Sequence, residues 1–143
     1  DPLNCILSYL YGLLTKEFAV TCLSIGFDPF LGFYHQPRYG KPALALDLME
    51  EFRVLVADSV ALNLVNTRIL SASDFTRRGN GVALSQNARR KVLEAYERRL
   101  QELVTHPWFG YKISYRRILY VQTRLLARHL MGEIETFPPF LTR

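Results

Sequence analysis

Four stretches of the chain repeat apolar residues at the spacing of an α-helix, and segments rich in Gly and Pro separate them. Apolar residues three or four positions apart share one helix face, and that face has to pack against another element. The first stretch carries this set: Leu3, Ile6, Leu7, Leu10, Leu14, Phe18, Cys22 and Ile25. The chain has 143 residues, 49% of them hydrophobic, which is enough apolar surface for one core. The pattern predicts a single helical domain over 1–143, of the all-α class.

Capping residues mark the ends of the predicted helices. Asp1 suits an N-cap and Pro2 the first helical position, while Gly26 suits a C-cap. The second helix is predicted from Pro42 to about residue 70. Ser85 or Asn87 caps the third, which runs to about residue 104, and Ser114 caps the fourth, which runs to residue 131. The expected architecture is therefore a bundle of about four main helices.

The segments between these helices predict turns and one small insertion. Residues 27–40 contain too many Gly and Pro residues for a long helix. Residues 75–85, centred on Gly79-Asn80-Gly81, are typical of a two-stranded ribbon or a loop. Residues 105–110 predict a turn around Pro107.

Charge and cysteine content indicate which partners and which cellular compartment suit the protein. The net charge of +5 favours anionic partners. Cys5 and Cys22 lie 17 residues apart on one predicted helix, about 25 Å, which is too far for a disulfide and fits a reduced, cytoplasmic protein. Lys16 and Glu17 interrupt the apolar N-terminal stretch, so no membrane span is predicted. Because the chain begins with Asp1 rather than Met, we expect a fragment or a processed product.

The densest group of candidate catalytic residues lies between residues 35 and 53. Asp47 and Glu50 are three residues apart on the second predicted helix, so they share a face, and His35 lies in the loop before it. A histidine and two carboxylates suit a Mg²⁺ or Mn²⁺ ion. Arg38 and Lys41 are placed to hold phosphates beside it. Apolar neighbours on both sides of the two acids predict that this turn is buried, with Arg53 as the alternative partner of the carboxylates.

A basic surface is predicted on the fourth helix. Residues 111–132 contain no Asp or Glu, and Arg117, Tyr120, Arg124 and Arg128 fall on one face. Such a row suits a phosphate backbone. The arginines of the third helix alternate with Glu94 and Glu97, which is more typical of a self-neutralising solvated helix.

Other functional motifs are missing from the sequence. It has no Gly-rich phosphate loop, no cysteine pair at metal-binding spacing and no Gly-x-Ser-x-Gly motif. His106, next to Pro107, is expected to be a turn residue. His129 is expected to interact with the C-terminal end of the fourth helix.

Four segments, in order along almost the whole chain, resemble the C-terminal helical domain of the CRISPR-associated adaptation integrase. This is the universal subunit that inserts spacers into CRISPR arrays during antiviral defence. The segments are DPLNCILSYLYGLL, GFDPFLGFYHQPRYGKPALALDLMEEFR, GVALSQNARRKVLEAYERRL and SYRRILYVQTRLLARHLMG.

The resemblance implies roles for particular residues and a reaction. It implies that His35 and Glu50 bind the metal, that Asp47 lines the site, and that Tyr11 and Lys41 stand near the DNA end. The implied reaction is transesterification, in which a DNA 3′-OH attacks a phosphodiester with the help of Mg²⁺ or Mn²⁺. Implied partners are DNA, a second copy in the full-length protein and a small adaptation subunit.

The resemblance also implies parts outside these residues. A third metal ligand, a glutamate on a helix before the Asp1–Asn4 segment, and an N-terminal β domain for dimerisation are expected there, so the 143 residues alone are expected to be inactive. One alternative is a non-catalytic helical DNA-binding module in which His35 and Glu50 are structural. Another is a helical interaction domain whose basic surface is only solvated.

Overall fold

The computed structural model describes residues 1–26, 41–137 and 140, with the backbone alone for 41–46. The first helix, α1, spans Pro2–Ser24, and the Asp1 side chain accepts a hydrogen bond from the Leu3 amide. Its buried residues recur at every fourth position: Ile6, Leu10, Leu14, Phe18 and Cys22. Gly26 follows in the left-handed region at φ +79°, so the helix ends where the sequence predicts.

The second predicted helix forms as one helical run in three parts. Helix α2 spans Lys41–Phe52, a π-helix spans Arg53–Asp58, and α3 spans Ser59–Asn66. The run ends about four residues earlier than predicted, and Arg68 follows with φ 58°. A 3₁₀ turn, Ala72–Asp74, then leads into the first strand.

The predicted ribbon is an antiparallel pair of strands, β1 (Phe75–Arg78) and β2 (Gly81–Leu84). Phe75 pairs with Leu84 and Arg78 with Gly81. Gly79, at φ 56°, supplies the positive φ that the tight turn between the strands requires. Helix α4 follows over Gln86–Gln101, and its N-cap is Ser85, whose side chain accepts from the Ala88 amide.

A second antiparallel pair of strands shows that the all-α prediction is wrong. Strand β3 (Leu103–Thr105) pairs with β4 (Lys112–Ser114), where the end of the third helix and a turn are predicted. Glu102 adopts an extended conformation, which ends α4 before residue 104 and starts the strand. The cause is pairing with a segment nine residues further along, which helical periodicity cannot reveal. The fold is mainly helical with two small sheets.

The last helix, α5, spans Tyr115–Leu130 with Ser114 as its N-cap, as predicted. It packs against α1, α2 and α4, and the largest fully buried side chains come from the five α-helices and from His106 after β3. These are Ile6, Leu10, Leu14, Leu48, Phe52, Leu64, Tyr96, Leu100, His106, Ile118, Leu119 and Leu126.

Within the described residues, α1 is long and apolar enough to cross a membrane by length and composition. A core helix or a signal sequence meets the same criterion. One face of α1 is buried in this fold, and Glu17 in its second half forms an ion pair with Arg116 at 3.0 Å. These contacts are those of a core helix, and the absence of a membrane association stays a prediction.

Candidate functional site

The carboxylates of Asp47 and Glu50 lie on the exposed face of α2. Leu48 and Phe52 are fully buried, whereas Asp47 is exposed and the Glu50 side chain is 65% exposed. The prediction that the turn bearing these acids is buried is therefore wrong. Successive residues of a helix differ by about 100°, so apolar neighbours in sequence face the core while the acids face outward. The two acids share a face, as their spacing predicts.

Glu50 belongs to a polar cluster that joins α2, the π-helix and α1. Its Oε1 atom lies 3.2 Å from Nη1 of Arg53, the alternative partner suggested by the sequence. The Arg53 guanidinium lies 5.1 Å from the centre of the Tyr11 ring. The Tyr11 hydroxyl donates a 2.8 Å hydrogen bond to Oδ1 of Asp58. The Arg53 Nε atom is buried and has no hydrogen-bond partner in the part of the chain that the structure describes.

The environment of Tyr11 favours its neutral form. The hydrogen bond to the Asp58 carboxylate raises the pKa of the phenol, and burial adds to that effect. Tyr11, predicted from the resemblance to stand near a DNA end, is thus also a structural link between α1 and the π-helix that follows α2. Its ring remains partly exposed.

Several predicted site residues lie outside the described part of the chain. His35 and Arg38 fall in residues 27–40, and Lys41 is described by its backbone alone, as the first residue of α2. The approach of His35 to Glu50 therefore stays a prediction. Among the described residues, no three His, Cys, Asp or Glu side chains converge as a metal site.

The basic face predicted on α5 is exposed, and we define it as Arg117, Arg124 and Arg128. Arg124 donates a 3.0 Å hydrogen bond to the Tyr120 hydroxyl and lies over its ring. Arg128 forms a wide ion pair with Glu133 at 3.8 Å, with both side chains about half exposed. The expectation that this face has no acidic partner is wrong at Arg128, because Glu133 lies just past the helix end and folds back toward it.

Three of the seven charged residues of α4 form ion pairs, and each partner lies outside the helix, which differs from the pairing within the helix that the sequence predicts. Glu97 accepts two hydrogen bonds from Arg116, which also pairs with Glu17, and these bonds raise the pKa of Arg116. Arg99 contacts Glu102 at 2.6 Å, and Lys91 contacts Asp74 at 3.3 Å. This helix is thus tied to its neighbours by its charges.

His106 has a role that the sequence does not reveal. It is fully buried, and its Nε2 atom lies 2.8 Å from Oε1 of Gln122, itself buried on α5. Gln122 is a polar residue on the core side of an apolar face, and a buried amide needs a partner. A glutamine on the apolar face of a predicted helix is the sequence signal that could have indicated this buried hydrogen bond.

Comparisons with known proteins agree with the resemblance. The family model described as CRISPR associated protein Cas1 matches residues 1–98. The whole chain is 51% identical to a CRISPR-associated exonuclease Cas4/endonuclease Cas1 fusion of Geobacter sulfurreducens, of which it covers 26%. It is 46% identical to the CRISPR-associated endonuclease Cas1 3 of Thermus thermophilus, of which it covers 43%. The chain thus spans less than half the length of these relatives.

Solved structures show the same similarity. A casposase bound to integration product superposes with a TM-score of 0.79 and 29% identity, over 96% of this chain and 40% of the casposase. A Cas1 protein from Thermotoga maritima superposes with a TM-score of 0.76 and 28% sequence identity. The match covers 91% of this chain and 40% of that protein. A chain of a Cas6-RT-Cas1–Cas2 complex superposes with a TM-score of 0.73 and 26% sequence identity. The match covers 99% of this chain and 15% of the matched chain.

Proposed function

Since the chain belongs to the Cas1 family of CRISPR-associated proteins, we propose that it forms most of the catalytic domain of a metal-dependent DNA integrase. The proposed reaction is the insertion of spacer DNA into a CRISPR array, with a DNA 3′-OH attacking a phosphodiester. The observation that carries the proposal is the match to a casposase bound to integration product over 96% of this chain.

The residues of α2 suit a divalent cation in part. Asp47 and Glu50 present exposed carboxylates on one face, and carboxylate oxygens are the ligands that Mg²⁺ and Mn²⁺ prefer. We assign His35 and Glu50 as ligands and Asp47 as a residue lining the site. A cation bound there would activate the attacking hydroxyl and stabilise the charge that develops on the phosphate.

The chain's own side chains orient the site and bind DNA. Arg53 holds the Glu50 carboxylate by an ion pair while its guanidinium rests against Tyr11, which limits the rotamers of both side chains. The basic face, together with Arg38 and Lys41, is proposed to bind phosphates. Tyr11 is proposed to stand near the DNA end.

The proposed partners are DNA, a second copy of the full-length protein and a small adaptation subunit. A solved Cas6-RT-Cas1–Cas2 complex, one chain of which is similar to this chain, supports the last of these. The reaction takes place on genomic DNA, so a cytoplasmic location is proposed.

A non-catalytic DNA-binding module remains the second candidate, and one observation favours it. Glu50 is engaged in an ion pair with Arg53, which is what a purely structural carboxylate would do. Under this reading, the basic face binds DNA while α2 does no chemistry.

Replacing Glu50 separates the two candidates. In the full-length protein, Glu50→Ala is expected to abolish integration of a spacer-like duplex in the presence of Mn²⁺ and to leave DNA affinity unchanged. Glu94→Ala, which removes an exposed carboxylate from α4, is the matched control and should keep full activity. If Glu50→Ala integrates at the normal rate, the α2 carboxylate is structural and the second candidate stands.

A further inference from the structure

The turn between β3 and β4 presents three aromatic side chains to solvent, which we call the aromatic turn. The exposed fractions are 57% for Trp108, 48% for Phe109 and 46% for Tyr111. The Phe109 and Tyr111 rings stack at 5.9 Å between centroids, with 28° between their planes. Half-exposed rings at a hairpin tip contribute less to the core than buried ones, and clustered exposed apolar groups mark interaction sites.

The aromatic turn is held in a defined conformation by His106. The His106 amide donates to the Tyr111 carbonyl at 3.0 Å, and the Gly110 amide donates to the His106 carbonyl at 2.8 Å. The Trp108 amide donates to Nδ1 of the His106 ring at 3.0 Å. Because Nδ1 accepts, Nε2 carries the hydrogen and donates it to Gln122 on α5. The backbone that carries the rings is therefore held in one conformation, which reduces the entropy that the turn loses on binding.

A row of rings connects the aromatic turn to α2. The Phe109 ring lies 4.6 Å from the ring of His106, which lies 5.8 Å from the ring of Phe140. Phe140 in turn lies 6.4 Å from Phe52, two residues after Glu50 on α2. The turn is thus packed, through buried rings, onto the helix that carries the candidate catalytic carboxylates.

The sequence around the aromatic turn carries only positive charge. Residues 103–132 include no Asp or Glu, and Lys112 is exposed beside the turn. The basic face begins at Arg117, five residues further along. A partner that covers both features has to carry negative charge and offer flat apolar faces, and unpaired nucleotides meet both requirements.

We propose that the aromatic turn is a stacking platform for unpaired bases of DNA whose phosphates are held by the basic face. The proposal rests on the proposed function and adds a binding site to it, the aromatic turn, for bases that are left unpaired. In a duplex, the base faces are covered by their neighbours, so the platform discriminates against fully paired DNA.

Trp108 is the only tryptophan in the chain, so its fluorescence reports on the platform directly. Titration with a short oligodeoxythymidylate is expected to quench this fluorescence, and a blunt duplex of the same length is not. In anisotropy measurements with the labelled single strand, Trp108→Ala and Tyr111→Ala should each weaken binding about tenfold, since base stacking on one ring is worth about that much. Trp108→Phe should restore most of the affinity, and duplex binding should stay the same throughout.

Leu23→Ala on α1 is the matched control, because Leu23 is a comparably exposed apolar residue far along the chain from the turn. If Trp108→Ala and Tyr111→Ala leave the single-strand affinity unchanged while Ala variants of the basic face lower it, the platform is wrong and the proposed function stands. If DNA binds to none of these proteins even at low salt, both fail. A change in self-association or in capture of a protein subunit, without any change in DNA affinity, would assign the turn to a protein interface and overturn the proposal.

Discussion

Asp74 illustrates at the scale of single residues how a buried charge is stabilised in this fold. It is the acidic side chain that the described core buries, with 4% exposed. Its Oδ2 atom accepts a 2.9 Å hydrogen bond from the Ser71 amide and lies 3.3 Å from Nζ of Lys91. The Ser71 bond, helped by Lys91 and opposed by burial, holds the pKa of Asp74 below its usual range. The carboxylate thereby connects the segment before β1 to α4.

Asp74→Asn is expected to destabilise the protein in a pH-dependent way. A carboxyl whose pKa is lower in the folded state stabilises the protein above its unfolded pKa of about 3.9, and this contribution is lost as the pH falls through the folded pKa. We expect a loss of about 1.5 kcal/mol in the free energy of unfolding at pH 7 and a smaller loss at pH about 3. Urea denaturation at the two pH values measures both.

Glu94→Gln on α4 is the control. Because Glu94 is exposed, its replacement should change the free energy of unfolding little at either pH. Equal losses at both pH values for Asp74→Asn would show that the side chain acts by shape and not by charge.

The π-helix is the feature that matters most at the scale of elements. It spans Arg53–Asp58 and begins three residues after Glu50. A π-helical turn holds an extra residue, which rotates the following helix relative to the preceding one, and such turns occur often at functional sites. Arg99 of α4 stabilises the π-helix, because the Arg99 Nε atom donates a 2.8 Å hydrogen bond to the Leu55 carbonyl. The Arg99 guanidinium also lies 4.5 Å from the centre of the Tyr115 ring.

Arg99→Lys is expected to lower the free energy of unfolding by about 2 kcal/mol and to speed amide exchange in the π-helix. An ammonium group cannot at once donate to the Leu55 carbonyl, pair with Glu102 and lie flat on Tyr115. The measurements are thermal denaturation and hydrogen exchange. Arg98→Lys, at the exposed neighbouring position, should be neutral. Normal exchange in the π-helix of Arg99→Lys would mean that the bulge does not depend on this side chain.

The basic face places three exposed arginines on one side of α5, and DNA affinity tests whether this face binds DNA. Replacing Arg117, Arg124 and Arg128 by Ala should weaken binding to every DNA sequence and flatten the dependence of log K on log salt by about three units at most. The matched control is the Ala variant of Arg89, Arg90 and Arg98, exposed arginines of α4 that change the net charge equally. Equal effects of the two triple variants would show that net charge, and not the basic face, drives binding.

The strand-transfer activity of the 143 residues by themselves depends on how tightly they bind the cation. A cation held by one imidazole and one or two carboxylates is weakly bound, because Mg²⁺ gives up its water ligands reluctantly. We therefore expect little strand transfer on branched DNA with Mn²⁺, and much more when a segment bearing the expected glutamate is joined before Asp1. Comparable turnover of the two proteins would show that His35, Asp47 and Glu50 suffice.

Local signals predicted much of the fold. Asp1, Ser85 and Ser114 each cap the helix that the sequence assigns to them, because a cap and the first turn it serves lie within three residues of each other. The Gly79-Asn80-Gly81 segment likewise indicated a ribbon or a loop, and the structure has the ribbon. The motifs also indicated the family, which the match to residues 1–98 confirms.

The sequence by itself thus determined where the helices start, most of the buried face of α1, and the family. Leu3, predicted on that face, is 39% exposed. Tertiary structure alone decided the pairing of β3 with β4, the outward orientation of Asp47 and Glu50, and the π-helix supported by Arg99. It also decided the burial of His106 against Gln122. The physical reason is how far apart in the sequence the interacting residues lie. A helix is closed by hydrogen bonds four residues apart, which local pattern records, whereas these other features depend on contacts between segments that only packing brings together.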